Sequence, residues 1–121
     1  MKKFTESHEW IECASDIATV GITKFAVQEI GETVHVELPP VGKKLRTGDV
    51  AAVLESTKAA IDIVTPISGE VIATNSSLET EIEKMNHSPE EEGWLFKLRP
   101  LDTTELDGLM DRSSYEKMMK Q

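Results

Sequence analysis

The sequence predicts a mainly β fold, a small barrel or sandwich of hairpins, with helices appended towards the C-terminus. Three observations carry this prediction. Short runs rich in β-branched residues, broken by glycine and proline at close spacing, fill the first two thirds of the chain. Helical spacing replaces strand alternation over most of the last third. The 121 residues, 39% apolar and 29% charged, suit one soluble globular domain and are too few for two comfortable ones. No linker or low-complexity segment divides the chain. Residues 1–121 therefore read as a single domain, with C-terminal helices from about 103 to 120.

"DIATVGIT" (Asp16 to Thr23) is a long strand or strand pair. In "TKFAVQEIG", Thr23 is placed to N-cap a short helix, Ala26 and Ile30 share its face, and Gly31 ends it. "TVHVEL" alternates, with Val34, Val36 and Leu38 on one face and His35 and Glu37 on the other; Pro39 and Pro40 stop it. Gly42 and Gly48 mark turns. "VAAVLES" and "AAIDIVTP" are two strands with Ser56, Thr57 and Lys58 between them, and "ISGEVIATN" turns at Ser68–Gly69 into another. Ser76 and Glu79 have capping-box spacing, and Leu78, Ile82 and Met85 follow on one face, predicting a second helix to about Asn86. "GWLFKL" returns to strand. Thr104 with Asp107, then Ser113 with Glu116, open two further helices whose methionines serve packing.

Composition excludes several functions. A net charge of −9 is unsuited to nucleic acid or an anionic membrane surface and favours partners with basic docking surfaces. No apolar run is long enough to span a membrane, and "MKKFTESHEW" lacks the apolar core of a secretory signal, so a bacterial cytoplasmic protein is expected. Cys13 is the only cysteine, which rules out an intrachain disulfide and reads as a partly buried small residue. His8, His35 and His87 have no metal-ligand spacing. In "SHEW", adjacent strand residues would point to opposite faces, so His8 and Glu9 do not form an acid–base pair. No catalytic constellation assembles, and neither catalytic residues nor a metal are expected.

Lys58 stands apart. At a tight turn between two strands, flanked by small Thr57 and Ala59, its amine projects on a rigid base that another protein's active site could close around. Two readings of the residues remain open, a solubilising turn lysine and an attachment point for a tethered cofactor.

The chain resembles the H protein of the glycine cleavage system, a lipoyl carrier, over nearly its whole length. The matching stretches are "SHEW" (Ser7 to Trp10), "ATVGIT" (Ala18 to Thr23), "VELP" (Val36 to Pro39), "ESTKAA" (Glu55 to Ala60), "PISGEV" (Pro66 to Val71) and "EGWL" (Glu92 to Leu95). The resemblance implies a barrel–sandwich hybrid of the lipoyl/biotinyl-carrier type, with lipoate in amide linkage to Lys58. It implies partners: a pyridoxal-phosphate-dependent glycine decarboxylase, a folate-dependent aminomethyltransferase, a flavin-dependent (FAD) dihydrolipoamide dehydrogenase, and a lipoate ligase or lipoyl transferase. The carrier shuttles an aminomethyl group between the first two, and the third restores the disulfide by thiol–disulfide exchange. By motif match, Ser7, Glu9 and Asp62 line a cleft that shelters the methylamine-loaded arm, since carboxylates suit a cation. Glu55, three residues before the lysine, matches the acid read by the lipoylating enzyme; Gly48 and Gly69 match turn glycines placed near the lysine, where a free φ is useful. A carrier that visits several enzymes is expected to be a monomer.

Three departures from the family pattern stand out. "HSPEEEGW" replaces the usual "DPYGEGW", "SSLETEIEKMN" lacks a customary proline, and Lys24 replaces an aspartate after "GIT". The altered acids Glu90 to Glu92 motivate an alternative, an H-like protein that accepts lipoate and relays it to another lipoylated enzyme. A peripheral lipoyl domain or a biotinyl carrier ranks lower, because the tip reads "TKA" and no Pro/Ala linker is present.

Overall fold

The computed structural model describes residues 2–120. The chain order is β1 (Lys2–Phe4), β2 (Glu9–Ala14), β3 (Ile17–Ile22), α1 (Lys24–Ile30), β4 (Thr33–Glu37), β5 (Lys44–Leu45), β6 (Val50–Ser56), β7 (Ala60–Val64), β8 (Gly69–Thr74), α2 (Glu83–His87), β9 (Phe96–Pro100) and α3 (Arg112–Met119). Two 3-10 segments, Ser76–Glu79 and Thr103–Gly108, complete it. The strands form a six-stranded sheet, β1-β2-β3-β9-β8-β5, and a three-stranded sheet, β4-β6-β7, with every pairing antiparallel. Two sheets that do not close on themselves agree with the expected barrel–sandwich hybrid.

The core lies between the sheets. Ile11, Val20, Val71, Phe96 and Leu98 come from the larger sheet, Val36, Leu54 and Ile63 from the smaller, and all are nearly or fully buried. Each such side chain contributes about 1.5–3 kcal/mol. The three ion pairs among the described residues, Lys84–Glu81, His87–Glu83 and Arg112–Glu90, each have at least one exposed partner and are worth at most about 1 kcal/mol each. Apolar burial therefore dominates the fold.

Helix α1 forms as its residues predict. Thr23 Oγ1 accepts from the Ala26 N–H at 3.2 Å, and Gly31 closes the helix at φ 83°. Other predicted elements need correction. The single helix predicted from Ser76 is a 3-10 turn, Ser76–Glu79, followed by the short α2. Ser76 makes no cap; Asn75 turns the chain, its amide donating to the carbonyls of Glu92 and Trp94 at 2.8 Å. Leu78 and Met85 are still buried, because the turn between the two pieces keeps both on the core side. The helix predicted from Thr104 is the 3-10 segment Thr103–Gly108, capped by Asp102. α3 is capped by Asp111, two residues before the predicted Ser113. In β4 an irregularity between Thr33 and His35 breaks the alternation, so Val34 is exposed (52%) and Thr33 is buried instead.

α3 is fastened to the open side of β1. Tyr115 stacks on Phe4 with ring centroids 4.8 Å apart, and Phe4 exchanges two backbone hydrogen bonds with Met110.

Candidate functional site

Lys58 sits in the β6–β7 turn. The Ser56 N–H donates to the Ala59 carbonyl at 2.8 Å and closes the turn. The Ser56 hydroxyl braces it further, accepting from the N–H groups of Lys58 and Ala59, each at 3.1 Å. A third tie comes from outside the hairpin, where the Thr57 N–H donates to the Glu32 carbonyl at 3.0 Å. Lys58 is exposed and joins no ion pair among the described residues. Its stem passes Gly31, where an added Cβ would lie 3.5 Å from Lys58 Cε and 3.4 Å from Thr57 Oγ1. The amine is thus free while its backbone is held from two sides.

Glu55 is exposed at the end of β6, paired with Ala60 on one side and His35 on the other. Gly48 and Gly69 are elsewhere. The hairpin runs from the pair Val50–Val64 to the pair Glu55–Ala60, and both glycines lie beyond its Val50–Val64 end. They are remote from the lysine rather than beside it. Gly48 does adopt a left-handed φ of 90°. Gly69 does not; it is needed for close approach, since a Cβ there would lie 2.6 Å from the Arg99 carbonyl oxygen on β9.

The structure brings Ser7 and Glu9 together. Glu9, 1% exposed, opens β2, and its Oε1 accepts from the Ser7 hydroxyl at 2.6 Å and from the Thr5 hydroxyl. No cation pairs with this buried carboxylate among the described residues, and both of its hydrogen bonds fall on Oε1. Isolating a carboxylate this way is costly unless a donor reaches it. Asp62 is exposed on β7, one of the two outer strands of the smaller sheet, and among the described residues no hydrogen bond links it to Ser7 or Glu9. His8, at φ 72°, turns away from Glu9 as expected, but to a partner the sequence did not suggest. Its Nδ1 is 2.7 Å from Tyr115 Oη, which is 2.6 Å from Thr23 Oγ1. Thr23 Oγ1 also accepts from the Ala26 N–H, so the phenol links the N-cap of α1 to His8, and the direction of each of its two bonds is set by the His8 tautomer. Burial pushes the Tyr115 phenol above its ordinary range, which keeps it a donor.

Sequence reasoning singled out Glu90 only as part of an altered acidic segment and missed its structural role. Its Oε2 accepts from the Lys24 N–H at 3.0 Å, and Oε1 accepts from Arg112 at 2.8 Å. Burial opposes ionisation, but these two donors and the nearby Arg112 and Lys2 charges outweigh it and hold the carboxyl below the usual range. The acid missing at position 24 is thereby supplied to the start of α1 from the altered segment.

Fold and hairpin together define a class, a small two-sheet β domain that presents one free amine on a braced tip, as carrier proteins do. The family model for glycine cleavage H-protein matches residues 2–121. A glycine cleavage system H protein of Thermotoga maritima is 45% identical over 121 residues, covering 100% of this chain and 98% of that one. One from Nitrosomonas eutropha is 49% identical over 119 residues, covering 98% and 92%. The crystal structure of a glycine cleavage system H protein from Mycobacterium marinum superposes with a TM-score of 0.90 at 29% identity, covering 99% of this chain and 97% of that one. The chain belongs to the glycine cleavage H-protein family. It is accordingly a carrier component of glycine cleavage and not an enzyme.

Proposed function

We propose that Lys58 is the lipoyl attachment site and that Ser7 and Glu9, with Asp62 from β7, receive the cationic end of the loaded arm. The observation that carries this reading is the exposed, unpaired amine on a tip braced by Ser56 and Glu32. Bound there, lipoate would supply a redox-active disulfide at the end of a flexible arm, the chemistry needed to carry an aminomethyl group on sulfur. The chain's own residues do the rest. Lys58 sets where the arm starts, beside Gly31 at the end of α1. Glu9 lies near the start of α1, because the Thr23 N–H donates to the His8 carbonyl at 2.9 Å. The seven residues of α1 span about 10 Å. A lysine side chain extended by an eight-carbon acyl chain reaches roughly 14 Å by ordinary bond lengths, enough to run along that helix. At its far end Glu9 Oε2 is available to an alkylammonium, with Thr5 and Ser7 fixing the carboxylate through Oε1.

Glu55 serves as the acid read by a lipoate ligase or lipoyl transferase, and Gly48 and Gly69 act through the shape of the hairpin base. The working partners are the pyridoxal-phosphate glycine decarboxylase, the folate aminomethyltransferase and the FAD dihydrolipoamide dehydrogenase, met in the bacterial cytoplasm by a monomeric single domain. Tethering keeps the dithiolane at high effective concentration at each docked enzyme. A relay role in place of glycine cleavage had its motive in Glu90 to Glu92. Glu90 has a structural use at α1 and Arg112, so that departure calls for no different function.

The test is the rate at which methylamine is lost from the loaded carrier. Glu9→Ala and Asp62→Ala are expected to speed it, Glu9 by about tenfold, as for loss of one charge-assisted bond. Release unchanged in both variants would remove the cleft from the account.

A further inference from the structure

Between the start of β4 and α2, one side chain holds the strand that braces the lysine turn. Asn86 Oδ1 accepts from the Thr33 N–H at 2.8 Å, and Asn86 Nδ2 donates to the Thr33 carbonyl at 3.1 Å. This amide orientation is the one that satisfies both groups. Thr33 is the first residue of β4 and pairs with Ser56 of β6. On its other side the sheet has no further strand, and the Asn86 amide supplies the two hydrogen bonds a neighbouring strand would make. The Thr33 hydroxyl is buried without a hydrogen-bond partner, so among the described residues its polar side chain adds no tie. The strand is irregular just past this point, between Thr33 and His35.

Besides the pairing of β4 with β6, the contacts that steady the Lys58 tip from outside the hairpin come from the two residues before Thr33. Glu32 gives its carbonyl to Thr57, and Gly31 lies against the Lys58 stem. We propose that Asn86 is a positioning residue for the lysine turn, fixing Gly31 to Thr33 so that the ligase meets Lys58 in one conformation. The proposal rests on Lys58 being the attachment site. Without the amide, the 31–33 segment moves off the tip, the turn samples other conformations, and only a fraction of carriers present the amine correctly. A binding partner sees that fraction as a raised apparent binding constant, with chemistry unchanged once bound.

The test uses the full, unlipoylated chain with Asn86→Ala and Asn86→Asp. The aspartate keeps an acceptor for the Thr33 N–H but turns a carboxylate on the Thr33 carbonyl, and its near-identical shape preserves packing. Amide exchange at Thr57 is compared with that at Leu95, whose N–H is bonded to the Val20 carbonyl in the larger sheet. In both variants Thr57 is expected to exchange about tenfold faster while Leu95 is unchanged. With lipoate and a lipoate ligase, carrier KM is expected to rise about tenfold with kcat within about twofold. Thr57 exchange unaltered in the folded variants, or Thr57 and Leu95 accelerating together, overturns the proposal. So does a loosened Thr57 with unchanged KM. If the native chain takes no lipoate at Lys58, the carrier site itself fails, which the exchange data do not depend on.

Discussion

Replacing Tyr115 by phenylalanine isolates the link between α3 and the Ser7–Glu9 segment. The change removes one oxygen and leaves the ring stacked on Phe4. Two partners lose their bond, Thr23 Oγ1 at 2.6 Å and His8 Nδ1 at 2.7 Å. Thr23 is 1% exposed, so water cannot replace the phenol there; its hydroxyl keeps the Ala26 N–H but is left one partner short, which costs about 1–3 kcal/mol. His8 is only half-buried and can turn to solvent, adding little. The expected loss is therefore about 1–3 kcal/mol, or roughly 3–15 °C in Tm for a chain of this size. Urea unfolding followed by tryptophan fluorescence measures it. A double-mutant cycle with Thr23→Val assigns it, with about 1 kcal/mol of coupling expected. A loss below about 0.5 kcal/mol, or no coupling, would refute the argument that this buried trio ties the C-terminal helix to α1.

Gly69→Ala places a methyl 2.6 Å from the Arg99 carbonyl and forces β8 from β9; a loss of about 1–3 kcal/mol in urea unfolding is expected, and an unchanged midpoint would contradict the close packing. The carboxyls of Glu90, Asp102, Glu105 and Asp111 are held below their ordinary ranges, and each fastens part of the C-terminal segment. A depressed folded pKa gives stability that is complete above the unfolded values of 4.5 for Glu and 3.8 for Asp and is lost as pH falls through the folded ones. Acid should therefore weaken the chain below about pH 4.5, with part of that dependence absent in Glu90→Gln; an identical acid profile for that variant would count against the account.

Much of this was legible in the residues. Thr23 and Gly31 delimit α1 because a hydroxyl cap and a left-handed stop are local signals, and the Lys58 hairpin follows from strand alternation around small turn residues. What was illegible depends on partners distant in sequence. Asn75 displaced Ser76 as the turning residue because its amide finds two carbonyls, of Glu92 and Trp94, across a loop. Val34 faces outward because an irregularity shifts β4, which no periodicity announces. Gly69 resembled a turn glycine, yet its constraint comes from Arg99 on another strand. Ser7 and Glu9 matched as a motif, but their meeting depends on the left-handed His8 that Tyr115 holds from the far end of the chain. The substitution at Lys24 made sense only once Glu90 was seen at its N–H.

The most direct measurement of the central claim is intact mass after co-expression with a lipoate ligase and lipoate. A braced, solvent-facing amine at the hairpin tip should gain a single lipoyl group, and Lys58→Arg should carry none. Addition that persists in the arginine variant, or a native chain that stays unmodified beside an active ligase, would contradict it.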